Sequence, residues 1–256
     1  MLPLLFLALS ELLVPPSRIT IPAGAFTRGS GSAEDDERPQ RTITLSQFEI
    51  DRTEVTRGAY AACIAGSRCP PRADLTARDL LSQLPMTQVS WREASSYCAA
   101  VGARLPTEAE WERAARGAAD RRTYPWGDEP DCSRANFGNF EGEGRCPDAA
   151  GHPVAVGSFP SGASPEGVFD LAGNVWEWAA DYYDPRGYTR AQTQDPRGPA
   201  RPLARHVEEL GRAPRRSVRG GACCSMFGLP RVTNRVGFPE DYRDDDLGFR
   251  CASGVP

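Results

Sequence analysis

Thiols, carboxylates and arginines carry the reactive chemistry of this chain. Two of its eight cysteines, Cys223 and Cys224, are adjacent. Adjacent thiols can close a strained, readily reduced disulfide ring, offer thiolates to a soft metal, or serve packing alone. We read Cys223 as pointing into the core and Cys224 as packing or pairing at a cleft, with a redox or copper role as the alternative. No Cys-x-x-Cys pair occurs, so a thioredoxin-like or zinc-ribbon site has little support. The histidines are His152 and His206, with Asp148 and Glu209 near them; Pro147, Gly151 and Pro153 argue against a helix face around His152, and an iron site is not expected. The chain has no lysine, which excludes Schiff-base chemistry and a phosphate-loop lysine.

A second kind of chemistry is offered by Phe169–Trp178 (FDLAGNVWEW), where side-chain and backbone oxygens on a tight irregular loop suit Ca²⁺. The competing reading is that Asn174 and Glu177 satisfy buried backbone groups without metal. Spacing also suggests two local disulfides. Cys63 and Cys69 bracket a short loop containing Gly66 and ending at Pro70-Pro71, and Cys132 and Cys146 bracket the Gly-rich stretch Asn136–Gly144. Disulfides imply an oxidising compartment, periplasmic or secreted; the competing reading is free buried thiols in a cytoplasmic protein. Met1–Val14 agrees with export if residues 1–18 are a signal peptide; otherwise they form an apolar first element, too short to span a bilayer.

The elements that must hold these groups are short. Prolines and glycines are spread throughout, which predicts one turn-rich domain over residues 19–256 rather than linked units. Ile19–Ile21 and Arg41–Ile50 read as strands, the second with a phase shift between Leu45 and Phe48 that a bulge would absorb. Thr56 can cap a short helix. Ser90-x-x-Glu93 and Thr107-x-x-Glu110 fit the capping box and predict helices to about Ala100 and Arg116, the latter ending at Gly117. Pro153–Phe159, Arg216–Gly221 and Leu247–Ala252 read as further strands, and Asp184–Ala213 as a long polar excursion. A net charge of −4 disfavours nucleic acid as a partner. The local run Arg201, Arg205, Arg212, Arg215, Arg216 and Arg219 is read first as a solvated loop, second as a dock for an acidic partner.

Several segments, in order, resemble the formylglycine-generating-enzyme, or sulfatase-modifying-factor, family: Ile21–Gly29 (IPAGAFTRG), Glu54–Thr56 (EVT), Val89–Ala94 (VSWREA), Arg104–Gly117 (RLPTEAEWERAARG), Tyr124–Gly127 (YPWG), Gly173–Trp178 (GNVWEW), Arg219–Gly221 (RGG) and Leu247–Ala252 (LGFRCA). The resemblance implies a single loop-rich α/β (α+β) fold related to C-type lectin folds. It also implies a disulfide between Cys98 and Cys251. One calcium site would use Asp170, the carbonyls of Gly173 and Val175, and Glu177. A second would use Asn136, the Phe137 carbonyl and a later acid for which Asp148 is the candidate.

The family's oxidases convert a sulfatase cysteine to formylglycine with O₂ and Cu(I) held by two cysteines. They read Arg-Gly-Gly-Ser-x-x-Cys-x-x-x-x-Cys, whereas this chain has Ala222 at the serine, Ser225 at the first cysteine and Pro230 at the second. The expectation is therefore a calcium-stabilised domain that binds a peptide, glycan or protein partner, a sulfatase among the candidates. A groove is expected near Trp176, Trp178, Arg219 and Ser225, lined by at most one of the two tryptophans. The alternative is a copper oxidase using Cys223 and Cys224. A regulatory or cofactor-maturation role is a third possibility that no residue selects.

Overall fold

The computed structural model describes residues 17–118, 121–138, 146–147, 149–190, 192–199, 201–202, 214–226 and 228–254. Of the expected leader only Ser17 and Arg18 fall among them, and Arg18 already opens the first strand.

Helices begin where a hydroxyl can answer an orphan backbone N–H. Thr56 accepts from Ala59 N and starts α1 (Arg57–Ala65). Ser90 with Glu93, and Thr107 with Glu110, close reciprocal capping boxes before α2 (Trp91–Ala100) and α3 (Glu108–Arg116). Gly117 ends α3 with a φ of +84°, a conformation that a Cβ would strain.

The strands form three small sheets. β1 (Arg18–Ile21), β4 (Phe48–Asp51) and β9 (Ala252–Ser253) make an antiparallel sheet in the order β1-β4-β9. β2 (Gly24–Arg28) pairs with β3 (Arg41–Leu45). The third sheet runs β7-β6-β5-β8, with β5 (Trp176–Tyr182) antiparallel to β6 (Arg215–Arg219) and parallel to β8 (Leu247–Gly248), and with β7 (Arg235–Pro239) at its edge. Two cores result. One packs Trp176, Trp178, Val218 and Phe249 against α1 and α2; the other packs Ile21, Ile43, Phe48 and Ile50 against Trp111 and Ala114 of α3.

Three strand expectations change. The phase shift between Leu45 and Phe48 is a break between two sheets rather than a bulge: Asp195 accepts from Ser46 N at 2.6 Å and from its hydroxyl at 2.8 Å, holding the corner. Pro153–Phe159 is not a strand, because its donors go to unrelated partners, Val154 N to Asn174 Oδ1 (2.9 Å) and Val156 N to Gln83 O (2.9 Å). Leu247–Ala252 divides into β8 and the start of β9, with Phe249 O turned to Val55 N.

Disulfides join Cys63 to Cys69, Cys98 to Cys251 and Cys132 to Cys146. No described helix is long and apolar enough to cross a membrane.

Candidate functional site

At the end of β6 the chain turns through Gly220 and Gly221, with φ of +99° and +74°. A Cβ on Gly220 would press the Trp111 indole at 3.3 Å and one on Gly221 the Pro230 backbone at 3.1 Å, so both positions favour glycine. Cys223 follows, anchored by its N–H to Asn174 O (3.1 Å) and only 2% exposed. Burial, reinforced by the neighbouring Cys224, pushes its thiol up to about 12, so it is protonated at neutral pH. Cys224 is exposed and donates to Gly151 O at 3.7 Å. Their sulfurs stand 3.6 Å apart as separate thiols, and the vicinal disulfide considered from sequence is not formed. Ser225 accepts from Ala222 N through its hydroxyl (2.8 Å), closing the turn.

The residues expected to line a groove do not do so. Trp176–Trp178 of β5 lie in extended pairing between β6 and β8, ahead of an irregularity before Tyr182, so the two tryptophans, two apart, share its core face and are both buried. Trp178 Nε1 donates to Val89 O at 2.9 Å. Arg219 is fully buried, donating to Glu112 at 2.8 Å and to Val232 O at 2.8 Å, and Ser225 is nearly so. Exposed large apolar side chains stand instead on other segments. Residues 152–156 run from the Cys224 sulfur's contact at Gly151 to Gln83 O, and Met226 (56% exposed), Leu84 (43%) and Leu81 (76%) stand out on the segments that this strip joins.

The expected cation ligands are gathered more deeply. Positive φ at Asp170 (57°), Gly173 (82°) and Asn174 (62°) folds the loop before β5. Glu177 is fully buried, and its two oxygens accept from Arg250 Nε and Nη2, both at 2.7 Å, and from Trp111 Nε1 at 2.9 Å. Asp170 accepts from Gly157 N at 2.6 Å. Glu54, which carried no site role in the sequence reading, lies with them: Asn174 Nδ2 donates to its Oε1 at 2.8 Å, its buried Oε2 meets no other donor, and its carboxyl lies within hydrogen-bond reach of Asp170.

Burial raises Glu54 well above the usual carboxylate range, and the charges of Asp170 and Glu177 add to it against the opposing Arg250. Asp170 is likewise raised by burial. Three carboxylates, Glu54 and Glu177 fully buried and Asp170 partly so, thus face one guanidinium, and a divalent cation fits the positive charge they lack. Asn136, of the second expected site, has a buried Oδ1 without a partner, while its Nδ2 donates to His152 O at 3.0 Å. Phe137 is buried beside it, and Asp148 lies outside the described residues. After Gly221 the described chain carries Cys223, Cys224, Ser225 and Pro230.

Residues 10–255 match a family described as sulfatase-modifying factor enzyme 1-like domain. The chain is similar to a formylglycine-generating enzyme of Streptomyces coelicolor, at 32% identity with 92% of this chain and 88% of that one aligned. It is nearly as similar to an inactive C-alpha-formylglycine-generating enzyme 2 of Mus musculus, at 30% identity with 94% of this chain and 86% of that one. Among solved structures, PvdO from Pseudomonas aeruginosa superposes with a TM-score of 0.73 at 25% identity, covering 93% of this chain and 94% of that chain. Relatives named active and inactive are almost equally alike overall, so activity must be argued from the residues after Gly221.

Proposed function

Because the chain belongs to the sulfatase-modifying factor family, we propose that it keeps the family scaffold without the standard cysteine-to-formylglycine oxidase centre and acts as an exported, calcium-stabilised domain that binds a peptide or protein. The observation that carries this reading is the stretch Ala222–Pro230. Copper(I) oxidase chemistry draws on a pair of soft thiolates. Here Ser225 spends its hydroxyl on the Ala222 N–H, proline stands at the second position, and the nearby Cys223 is a buried thiol held in its protonated form. The exposed apolar side chains Met226, Leu84 and Leu81, on segments joined by residues 152–156, favour an apolar peptide segment over a glycan.

Calcium would be held by Asp170, the carbonyls of Gly173 and Val175, and Glu177, with Asn136 and the Phe137 carbonyl at the second site. It would supply charge compensation and loop anchoring rather than catalysis. The three disulfides support export.

One observation favours the alternative: sulfurs 3.6 Å apart can both reach a soft cation. A decisive experiment incubates the protein with Cu(I), O₂ and a cysteine-containing sulfatase peptide and follows the peptide by mass spectrometry. An unchanged peptide mass is expected. Loss of mass at the peptide cysteine that disappears in a Cys223→Ser/Cys224→Ser variant would instead establish an oxidase built on this pair. Peptides selected on the immobilised protein should be apolar and should be lost on Leu81→Asp/Met226→Asp.

A further inference from the structure

A cavity of about 540 Å³, with neither Cys223 nor Cys224 in its lining, opens between the loop after β2, the end of α3 and two later segments. Its charged lining is Arg38, Arg116, Arg121, Arg122 and Arg231 against Glu34. The remaining lining is almost wholly polar, from Ser30, Gln40 and Thr123 among others. An all-arginine wall around a polar cavity recruits anions, and its field is focused by the concave shape.

The guanidinia are placed rather than merely nearby. Arg116, 2% exposed, is fixed by its Nη1 to Thr27 O at 2.7 Å and Gly29 O at 2.9 Å, and its salt bridge to buried Glu112 is 3.3 Å. Arg231 is fixed by Glu37 at 2.5 Å and by Gly228 O. Both keep a buried Nε without a partner. Glu112 and Glu37 are fully buried and do not line the cavity, so the charge facing the opening stays positive. At the mouth, Arg121 is exposed and makes no ion pair among the described residues, and Arg38 pairs with the exposed Asp35 at 2.9 Å.

We propose that this cavity is a binding site for a tetrahedral oxyanion, a sulfate or phosphate group, carried on a sugar-sized molecule. Guanidinium forks arriving from several segments match an anion with oxygens in several directions better than a planar carboxylate with two. The volume is far larger than the anion and lies within the range of roughly 300–1,000 Å³ of small-molecule pockets, which leaves room for the group that carries it. The site is independent of the reading given to Cys223 and Cys224, since neither they nor Leu81, Leu84 and Met226 line it.

The test is isothermal titration calorimetry of the full chain with glucose 6-sulfate and, separately, glucose 6-phosphate, at constant ionic strength, with glucose plus sodium chloride as the blank. Saturable one-to-one binding of at least one ester is expected, weakened tenfold or more in Arg38→Gln/Arg121→Gln and unchanged in Cys224→Ala. The two substituted arginines are exposed, and circular dichroism checks that the variant is folded. Whichever ester binds more tightly identifies the source of the anion. Heats no greater than the blank, or wild-type affinity in the double variant, would overturn the proposal.

Discussion

Glu108 and Glu112 sit one turn apart on α3, and both carboxylates are buried among arginines. Glu108 accepts from Arg235 Nε at 2.9 Å and Nη2 at 2.6 Å; Glu112 accepts from Arg219 at 2.8 Å and from Tyr188 OH at 2.7 Å. Burial alone would raise Glu108, but Arg235, Arg219 and Arg28 outweigh it and hold the carboxyl at about 2 against an ordinary 4.5. A depressed folded value means that the stabilisation is complete above the unfolded value and is lost as pH falls from about 4.5 towards 2. Glu108→Gln leaves Arg235 buried without its charge partner and should cost about 3–5 kcal/mol at neutral pH. Urea melts of wild type and variant should therefore differ most at pH 6–7 and converge towards pH 2. A gap independent of pH would mean that Glu108 acts through packing alone. Nothing in the sequence marks this cluster, because two glutamates a turn apart look the same on a solvated face as on a buried one.

At the scale of elements, what could be read in advance was whatever depends on near neighbours in the chain. The capping boxes at Ser90 and Thr107 act within three residues, so α2 and α3 were legible to the residue. Strands depend on distant partners, and β2, β5 and β7 escaped reading; the burial of Trp176 and Trp178 followed only from β5 being paired on both sides. Glu54 was visible as part of a motif, yet its place beside Asp170 depends on contacts more than a hundred residues apart, such as that to Asn174. The disulfides differ in the same way: Cys63–Cys69 spans 6 residues and Cys98–Cys251 spans 153, tying α2 to the C-terminal segment. Because cross-links restrict the unfolded chain more as the loop grows, Cys98→Ala/Cys251→Ala should cost roughly 3–5 kcal/mol and Cys63→Ala/Cys69→Ala at least 1 kcal/mol less. Guanidinium titrations under non-reducing conditions measure both. Equal losses would show that native packing at the bridges, rather than loop closure, sets their worth.

The whole molecule is held at one point where its separate parts converge. Glu54 comes from the turn between β4 and α1, Asp170 and Glu177 from the approach to and start of β5, and Arg250 from the segment between β8 and β9. Arg250 also donates to Asp51 O at 3.1 Å and Phe169 O at 3.0 Å, so the cluster fastens both larger sheets to one loop. A cation bound there would stabilise the entire fold, since the unfolded chain cannot assemble carboxylates so distant in sequence. The gain follows mass action, about 2.7 kcal/mol when free calcium is a hundred times its dissociation constant. For a domain of this size that is a rise in Tm of roughly 5–10 °C. Differential scanning calorimetry in EGTA and in millimolar calcium should show such a rise, with a smaller one in magnesium, which prefers a smaller and more rigid oxygen shell. Asp170→Asn should remove most of the calcium-dependent increment, and a double variant of the cavity arginines, Arg38→Gln/Arg121→Gln, should keep it. If Tm in EGTA equals Tm in calcium, the carboxylates are balanced within the protein, and the fold stands on Arg250 and its hydrogen bonds alone.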